Sequence, residues 1–448
     1  MIASLILSLI PLGHEGVEKI LPHAIWGVYA VRTDTGEVVA DRNSDLSFTP
    51  ASCLKVVTTA AALHVLGPEY RFETRLEYDG EVIGGNTLRG ALWIRGGGDP
   101  CLGSERIAGP LASDKQLSAW ADAVCKLGIA KIEGKVAVDL SRWEQALAVP
   151  SWAWEDLGNY YGAGASALSF HENSYALVFQ PGTQVGEPAK ILRTEPRLSH
   201  PIQCEVTTGP VGSGDRACIY GSEFSPLQFV RGTVPAGVNE FAIRGAIPDP
   251  ASFCAKRLEE ELKKRGIAIE GKETLPAKKR TVIHTTASPP IQEIVNWTNR
   301  KSVNLYAEHL LKEMGYAVYK EGSTEAGVRA VSDFCRSQGI DLDGFCMVDG
   351  SGLSRKNLIT PKQLVQLLVK MNGSVHLFDS LSEHEGGVRA KSGSMAHTKG
   401  YAGYVGKIAF AAFVNQCCDG DAMDKALQAL LAELSRLVPA KKQSSLGR

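Results

Sequence analysis

The sequence predicts an α/β (α+β) protein in which one domain is built from both ends of the chain and a large, mostly β insertion forms two further domains. Three observations predict it. Strand and helix patterns occur together in residues 24–67 and return from about residue 288 to the end. Between about 72 and 280, short alternating segments such as "LRGALWIRG" and "GKVAVDL" are separated by Gly, Pro and Asp turns. A chain of 448 residues is also long enough for more than one core. The expected boundaries are 1–23 for an N-terminal segment, 24–75 with 280–448 for the discontinuous domain, 76–175 with 251–279 for inserted domain II, and 176–250 for a β-rich inserted domain III.

The elements follow in order. "MIASLILSLI" opens the chain; it is too short to span a membrane and resembles the apolar part of a secretory signal, although no Lys or Arg precedes Lys19. A buried N-terminal helix is the other reading. "AIWGVYAV", a turn at Thr33-Asp34-Thr35-Gly36 and "EVVAD" read as a hairpin. "TPASCLKVVTTAAALHVLG" enters a helix, with no Gly or Pro from Ala51 to Leu66. After the β-rich middle come three helical stretches, "IQEIVNWTNRKSVNLYAEHLLKEMG", "TEAGVRAVSDFCRSQG" and "TPKQLVQLLVKMN". A strand, "KIAFAAFVNQ", precedes a last amphipathic helix with Met423, Leu427, Leu430, Leu431, Leu434 and Leu437 at helical spacing.

Composition excludes little but is useful. Formal net charge is -1, so no basic surplus points to nucleic acid and no acidic tail to a cationic partner. The ten cysteines show neither C-x-x-C nor a His/Cys metal spacing, and no metal or cofactor is implied. Cys204 and Cys218 can close a loop; the vicinal pair Cys417 and Cys418 reads as one buried and one exposed thiol.

Ser52 and Lys55 stand three residues apart at the mouth of the first helix, so their side chains share a face. Alone, the pair reads as an ordinary helix start with a surface lysine. Two further stretches change that reading. "RKSVNLYAEHLL" holds Ser302 and Asn304 at a helix start, and "RAKSGSMAHTKGYAGYVGKIAF" holds Lys391-Ser392-Gly393 leading into a hairpin. Each residue type has a task. Lys55, when neutral, can take the Ser52 proton; the helix N-terminus and a nearby Lys391 would depress its pKa. Ser302 can relay a proton to a leaving group, and Asn304 can bond a substrate amide. Lys391 supplies positive charge, and the Ser392 hydroxyl can bind a terminal carboxylate. Gly393 lets a substrate lie along the strand as an added β-strand. The backbone N–H groups of Ser52 and Ser394 are the natural oxyanion donors, each worth about 3–4 kcal/mol to the transition state.

Ser-x-x-Lys, Ser-x-Asn and Lys-Ser-Gly in this order resemble the motif set of the penicillin-binding proteins and active-site serine β-lactamases. About 250 residues separate Ser52 from Ser302. That insertion resembles the class C low-molecular-mass penicillin-binding proteins, three-domain serine D-alanyl-D-alanine carboxypeptidase/endopeptidases. "FTPASCLKVVTTAAALHVLGPEYRFET", "IRGGGDPCL", "VPSWAWEDLGNYYGAGASALSFHEN" and "MVDGSGLSRKNLITP" extend the likeness over nearly the whole chain from about residue 24. The resemblance implies a penicillin-binding-protein/serine β-lactamase-like transpeptidase fold. It implies catalytic roles for Ser52, Lys55, Ser302, Asn304 and Lys391, and substrate binding by Ser392, Gly393 and Ser394. It also carries over two secondary positions: Asp156, matching an acid that meets the side-chain amine of diaminopimelate, and Arg355, beside the substrate pocket. Ser392 stands where Thr is commonest, and Ala396 where some relatives are polar. Cys53 points about 100° round the helix from Ser52.

Other residues have plainer readings. Asp156 after two tryptophans can simply cap a turn. Trp143, Trp152 and Trp154 can stack on sugars but more often fill a core. "GGGDP" (96–100) is a structural turn. His384 and His397 lie near the third motif, but no G-x-S-x-G elbow supports a Ser-His-Asp hydrolase. The expected activity is serine acyl transfer on peptidoglycan stem peptides, with β-lactams acylating the same serine, in an exported protein of the periplasm or cell envelope. The rivals are a β-lactamase or esterase on the same scaffold, and a peptidoglycan-binding protein with a retired site.

Overall fold

In the computed structural model, residues 14–109, 112–272 and 279–438 are described. The apolar opening decapeptide lies outside them. Among the described residues, no helix is long and apolar enough to cross a membrane. The chain divides into two compact units, one of residues 1–68, 295–303 and 328–448, the other of 69–294 and 304–327.

The first unit is built on a six-stranded antiparallel sheet with the order Ser382–His384, Val388–Met395, Thr398–Val405, Ile408–Asn415, Ile25–Arg32, Val38–Arg42. The N-terminal hairpin therefore pairs with the last strand, Trp26 opposite Val414 and Tyr29 opposite Ala411. "IAFAAFVN" is apolar without alternation because both faces of that strand are covered: seven of its eight residues are buried. The C-terminal helix Gly420–Arg436, N-capped by Asp419, lays Met423, Leu427, Leu430, Leu431 and Leu434 on a core shared with Trp26, Val28, Phe410 and Val414. The helix Pro361–Lys370 starts with a capping box between Thr360 and Gln363, and Pro361 at its first turn costs nothing there.

The helix Leu54–Val65 is buried from Leu54 through Leu63. Such an all-round apolar helix has no solvent face. That is why Lys55 has no exposed surface. Burying an amine is unfavourable unless its hydrogens find partners.

Among the described residues of the second unit, two apolar cores stand out. One packs Leu76, Ile94, Trp120, Ile132, Phe170 and Leu258; two four-stranded sheets and the helices Ala112–Lys126 and Pro250–Lys264 carry most of it. The other packs Tyr175, Leu177, Phe179, Ile219, Val230 and Val234 between two three-stranded sheets. All ten cysteines are free thiols. The expected Cys204–Cys218 closure fails for a topological reason. Their strands, Ile202–Gly209 and Arg216–Tyr220, flank Gln228–Pro235 on opposite sides. Two strand spacings of about 4.8 Å exceed the Cα reach of a disulfide. Cys417 is half-buried and Cys418 exposed.

Candidate active site

The chain turns sharply into the first helix. Ala51 has φ 46°, an uncommon conformation for a residue with a Cβ, and Ala51–Cys53 form a single 3₁₀ turn before Leu54–Val65. Ser52 makes no capping bond. Its Oγ instead meets Lys55 Nζ at 2.9 Å. Lys55 also donates to the Ser351 carbonyl at 2.6 Å. The ordinary helix-start reading is thereby excluded: a capping serine bonds its own helix, and a surface lysine is not buried.

The Ser351 carbonyl is fixed by a tight loop. Asp349, fully buried, accepts from Gly352 N at 2.8 Å, Ser354 N at 2.7 Å and Asn357 Nδ2 at 2.8 Å. Thr58 Oγ1 donates to the Gly350 carbonyl at 2.7 Å, tying the loop to the helix again. Gly352 has φ +79° and lies so close to the first motif that a Cβ would sit 1.9 Å from the Ala51 carbonyl oxygen. Arg355 projects from the same loop and is exposed.

The third motif lies on Val388–Met395. Lys391 and Gly393 are buried and Ser392 and Ser394 exposed, as a strand's alternation requires. A Cβ on Gly393 would be 2.5 Å from the Pro50 carbonyl and 3.1 Å from Cys53 Sγ, so only glycine allows the strand this close to the Ser52 turn. Cys53 Sγ lies 3.4 Å from the Lys391 carbonyl, and burial pushes its thiol up to about 12; Cys53 is an inert filler. Lys391 Nζ donates to the Ser392 carbonyl at 2.6 Å. The neighbouring strand Ser382–His384 pairs only with residues 388–390. Among the described strands, none pairs with 391–395 on that side, which leaves an open edge.

Ser302 follows the helix Ile291–Arg300 and also has a left-handed backbone, φ 55°. Two left-handed non-glycine residues, Ala51 and Ser302, thus fall at two of the three motifs, where strain is commonly concentrated. Asn299 anchors the Ser302 segment: its Nδ2 donates to Thr59 Oγ1 at 3.0 Å and Ser380 Oγ at 2.8 Å, and Thr59 Oγ1 donates to the Lys55 carbonyl at 2.7 Å.

In the second unit, Asn304 opens the helix Asn304–Tyr319 and donates from Nδ2 to the Tyr161 carbonyl at 2.8 Å. Asp156, on the short helix Trp154–Leu157, is only 8% exposed. Burial first, then the charge of Asp156 and a hydrogen bond to it, hold the Tyr161 phenol above its usual value. One residue, Tyr161, therefore joins Asp156 to Asn304. The tryptophans split: Trp143 and Trp152 fill the core, while Trp154 is 56% exposed and leans on Tyr220 with ring centroids 4.8 Å apart. His384 and His397 turn their ring nitrogens to the Ala390 and Cys417 carbonyls, at 3.3 Å each.

Residues 17–382 match the D-Ala-D-Ala carboxypeptidase 3 (S13) family. The chain belongs to that family. It is 27% identical to the D-alanyl-D-alanine carboxypeptidase DacB of Haemophilus influenzae, over 92% of this chain and 89% of the relative. It is 29% identical to the D-alanyl-D-alanine carboxypeptidase of Actinomadura sp. (strain R39), over 87% of this chain and 77% of the relative. The crystal structure of penicillin binding protein 4 from H. influenzae shares the fold, with TM-score 0.77 and 24% identity over 94% of this chain and 97% of that one. The same protein complexed with a β-lactam gives TM-score 0.74 and 25% identity over 94% and 97% of the two chains. The S13 chain is thus a serine peptidase with a penicillin-binding-protein fold.

Three participants were missed from sequence: the Ser351 carbonyl, Asn299 and Tyr161. "GSG" and the residues before Ser302 were quotable signals for the first two, but a backbone acceptor leaves no side-chain signature.

Burial lowers the Lys391 ammonium to about 8, against a free value near 10.4. Its charge is then present below about pH 8 and lost above it. The KM for a substrate with a free carboxylate should rise as pH passes 8, and Lys391→Arg, which stays cationic, should remove that rise. Stability has the opposite sense. The unfolded chain binds the extra proton between about 8 and 10.4, so this residue's contribution to stability rises with pH across that window. Steady-state kinetics from pH 6 to 10 on both proteins checks the first statement.

Proposed function

We propose that this S13 peptidase removes the terminal D-Ala from peptidoglycan stem peptides, and cleaves D-centred cross-links, through an acyl-enzyme on Ser52. The carrying observation is the buried Lys55 amine 2.9 Å from Ser52 Oγ. In its neutral form Lys55 takes the Ser52 proton while the Ser351 carbonyl holds one of its hydrogens. Ser52 Oγ then bonds the carbonyl carbon before the terminal D-Ala. The C–N bond breaks, the amine leaves with a proton relayed by Ser302, and water later hydrolyses the ester. Backbone N–H groups of Ser52 and Ser394 are the oxyanion donors in this reading. The open edge at 391–395 supports binding of the peptide as an added strand, with Lys391 and Ser392 receiving its carboxylate. Asn304 bonds the substrate amide, and Arg355 borders the pocket. A β-lactam enters as the mimic of that substrate. The substrate class supports a periplasmic or envelope location.

The test is D-Ala release from an N-acylated stem pentapeptide, run beside digestion of purified sacculi. Release with retention of a long-lived penicillin adduct is expected. Rapid penicillin turnover without D-Ala release would replace this reading with a β-lactamase.

Asp156 supplies the charge that selects a diamino acid side chain. Asp156→Asn keeps shape and removes charge, with a charge-assisted bond worth about 1.5–3 kcal/mol at stake. It should lower kcat/KM about tenfold or more for diaminopimelate peptides and leave penicillin acylation nearly unchanged. Equal loss on both substrates would make Asp156 purely structural.

A further inference from the structure

The second unit holds a cavity of about 240 Å³ that none of the three motifs lines. It is bordered by Phe224, Phe253, Ser199, His200, Asp249 and Lys256, among others. Several features mark it as more than a packing gap. Its walls are mixed, with two aromatic rings beside a carboxylate, an amine, an imidazole and hydroxyls, the pattern of a small-molecule site. Phe224 is 52% exposed at the cavity wall, with φ 56° and its N–H bonded to the Pro248 carbonyl at 3.0 Å, so its ring face is available to a ligand. His200 Nε2 is shielded from solvent yet has no hydrogen-bond partner.

The chemistry of the occupant follows from the lining. Asp249 and Lys256 bring opposite charges, so a charged ligand would meet one like charge; a neutral ligand meets none. Asp249 Oδ1 already accepts from Ser252 N, and Lys256 already donates to Ser199 Oγ at 2.8 Å. Each still has capacity for hydroxyl groups, since a carboxylate has further lone pairs and an ammonium further hydrogens. Burial holds the His200 imidazole below its usual pKa, so it faces a ligand uncharged at neutral pH. Apolar rings next to such polar groups suit a ring with one C–H face and several hydroxyls. The volume, somewhat below the range of about 300–1,000 Å³ for drug-sized sites, suits one sugar ring.

We infer that this cavity binds one N-acetylated amino-sugar ring of the peptidoglycan glycan strand, with the ring face on Phe224 and hydroxyls on Asp249 and Lys256, and with His200 forming part of the wall. The choice of this sugar among neutral polyols rests on the function proposed above. The cavity then gives the enzyme a hold on the glycan that is independent of the stem peptide.

The test uses ligand-observed NMR on the full chain with N,N′-diacetylchitobiose, and with maltose as a polyol lacking the acetamido group. Diacetylchitobiose should show saturation transfer and maltose little. Phe224→Ala and Lys256→Ala should each weaken diacetylchitobiose binding at least tenfold, while penicillin acylation of Ser52, which also reports folding, stays unchanged. No transfer at millimolar sugar, binding that neither variant changes, or equal binding of maltose would overturn the inference. The two readings fail separately. Release of D-Ala without sugar binding removes only the cavity assignment; sugar binding without D-Ala release removes only the proposed peptidase substrate.

Discussion

Lys55→Arg should fold like the parent and lose penicillin acylation by about a thousandfold, within the range of about 10²–10⁴ that general base catalysis contributes. Arginine keeps the positive charge and can still donate to the Ser351 carbonyl, but it cannot give up its proton at any working pH. The variant therefore separates the base from the cation. Stopped-flow acylation with a chromogenic or fluorescent penicillin gives the rate, and the melting temperature shows whether the buried helix tolerates the larger head group. Acylation within tenfold of the parent, in a folded variant, would take the base role from Lys55.

The second large effect concerns a residue that need touch no substrate. Asp349→Ala removes the acceptor for Gly352 N and Ser354 N, and one of the two acceptors of Asn357 Nδ2, in a fully buried loop. Stranding buried donors costs about 1–3 kcal/mol each, less where water can enter, so a total of about 3–5 kcal/mol is expected. The loop that presents the Ser351 carbonyl to Lys55 then loosens, and acylation should fall together with stability. Denaturant unfolding of parent and variant measures the first; the acylation rate at a temperature where both are folded measures the second. Asp349→Asn, which keeps one oxygen acceptor, should lie between them. A loss of activity with no loss of stability would contradict the structural account of Asp349.

Much of this was legible in the sequence because it rests on side-chain periodicity and spacing. The α/β class follows from patterns that the sheet and helices reproduce: the unalternating "IAFAAFVN" became a strand covered on both faces, and the three-residue step from Ser52 to Lys55 became a 2.9 Å contact. Family membership adds independent weight to the same class. What was not legible depends on the path of the backbone. The Ser351 carbonyl is a backbone atom. The open edge beside Lys391–Ser394 exists because the outer strand, Ser382–His384, is only three residues long. Cys204 and Cys218 look paired by sequence distance, and only the strand order separates them. Trp154 is indistinguishable from Trp152 in composition, yet one is exposed and the other buried.

The central claim is that Ser52 is the residue acylated, with Lys55 as its base. The direct measurement is mass spectrometric mapping of the protein after incubation with a labelled penicillin. The account predicts one adduct per chain, on Ser52, with Cys53 unmodified because its buried thiol sits at about 12. An adduct on Cys53 or elsewhere, with Ser52 untouched, would contradict it.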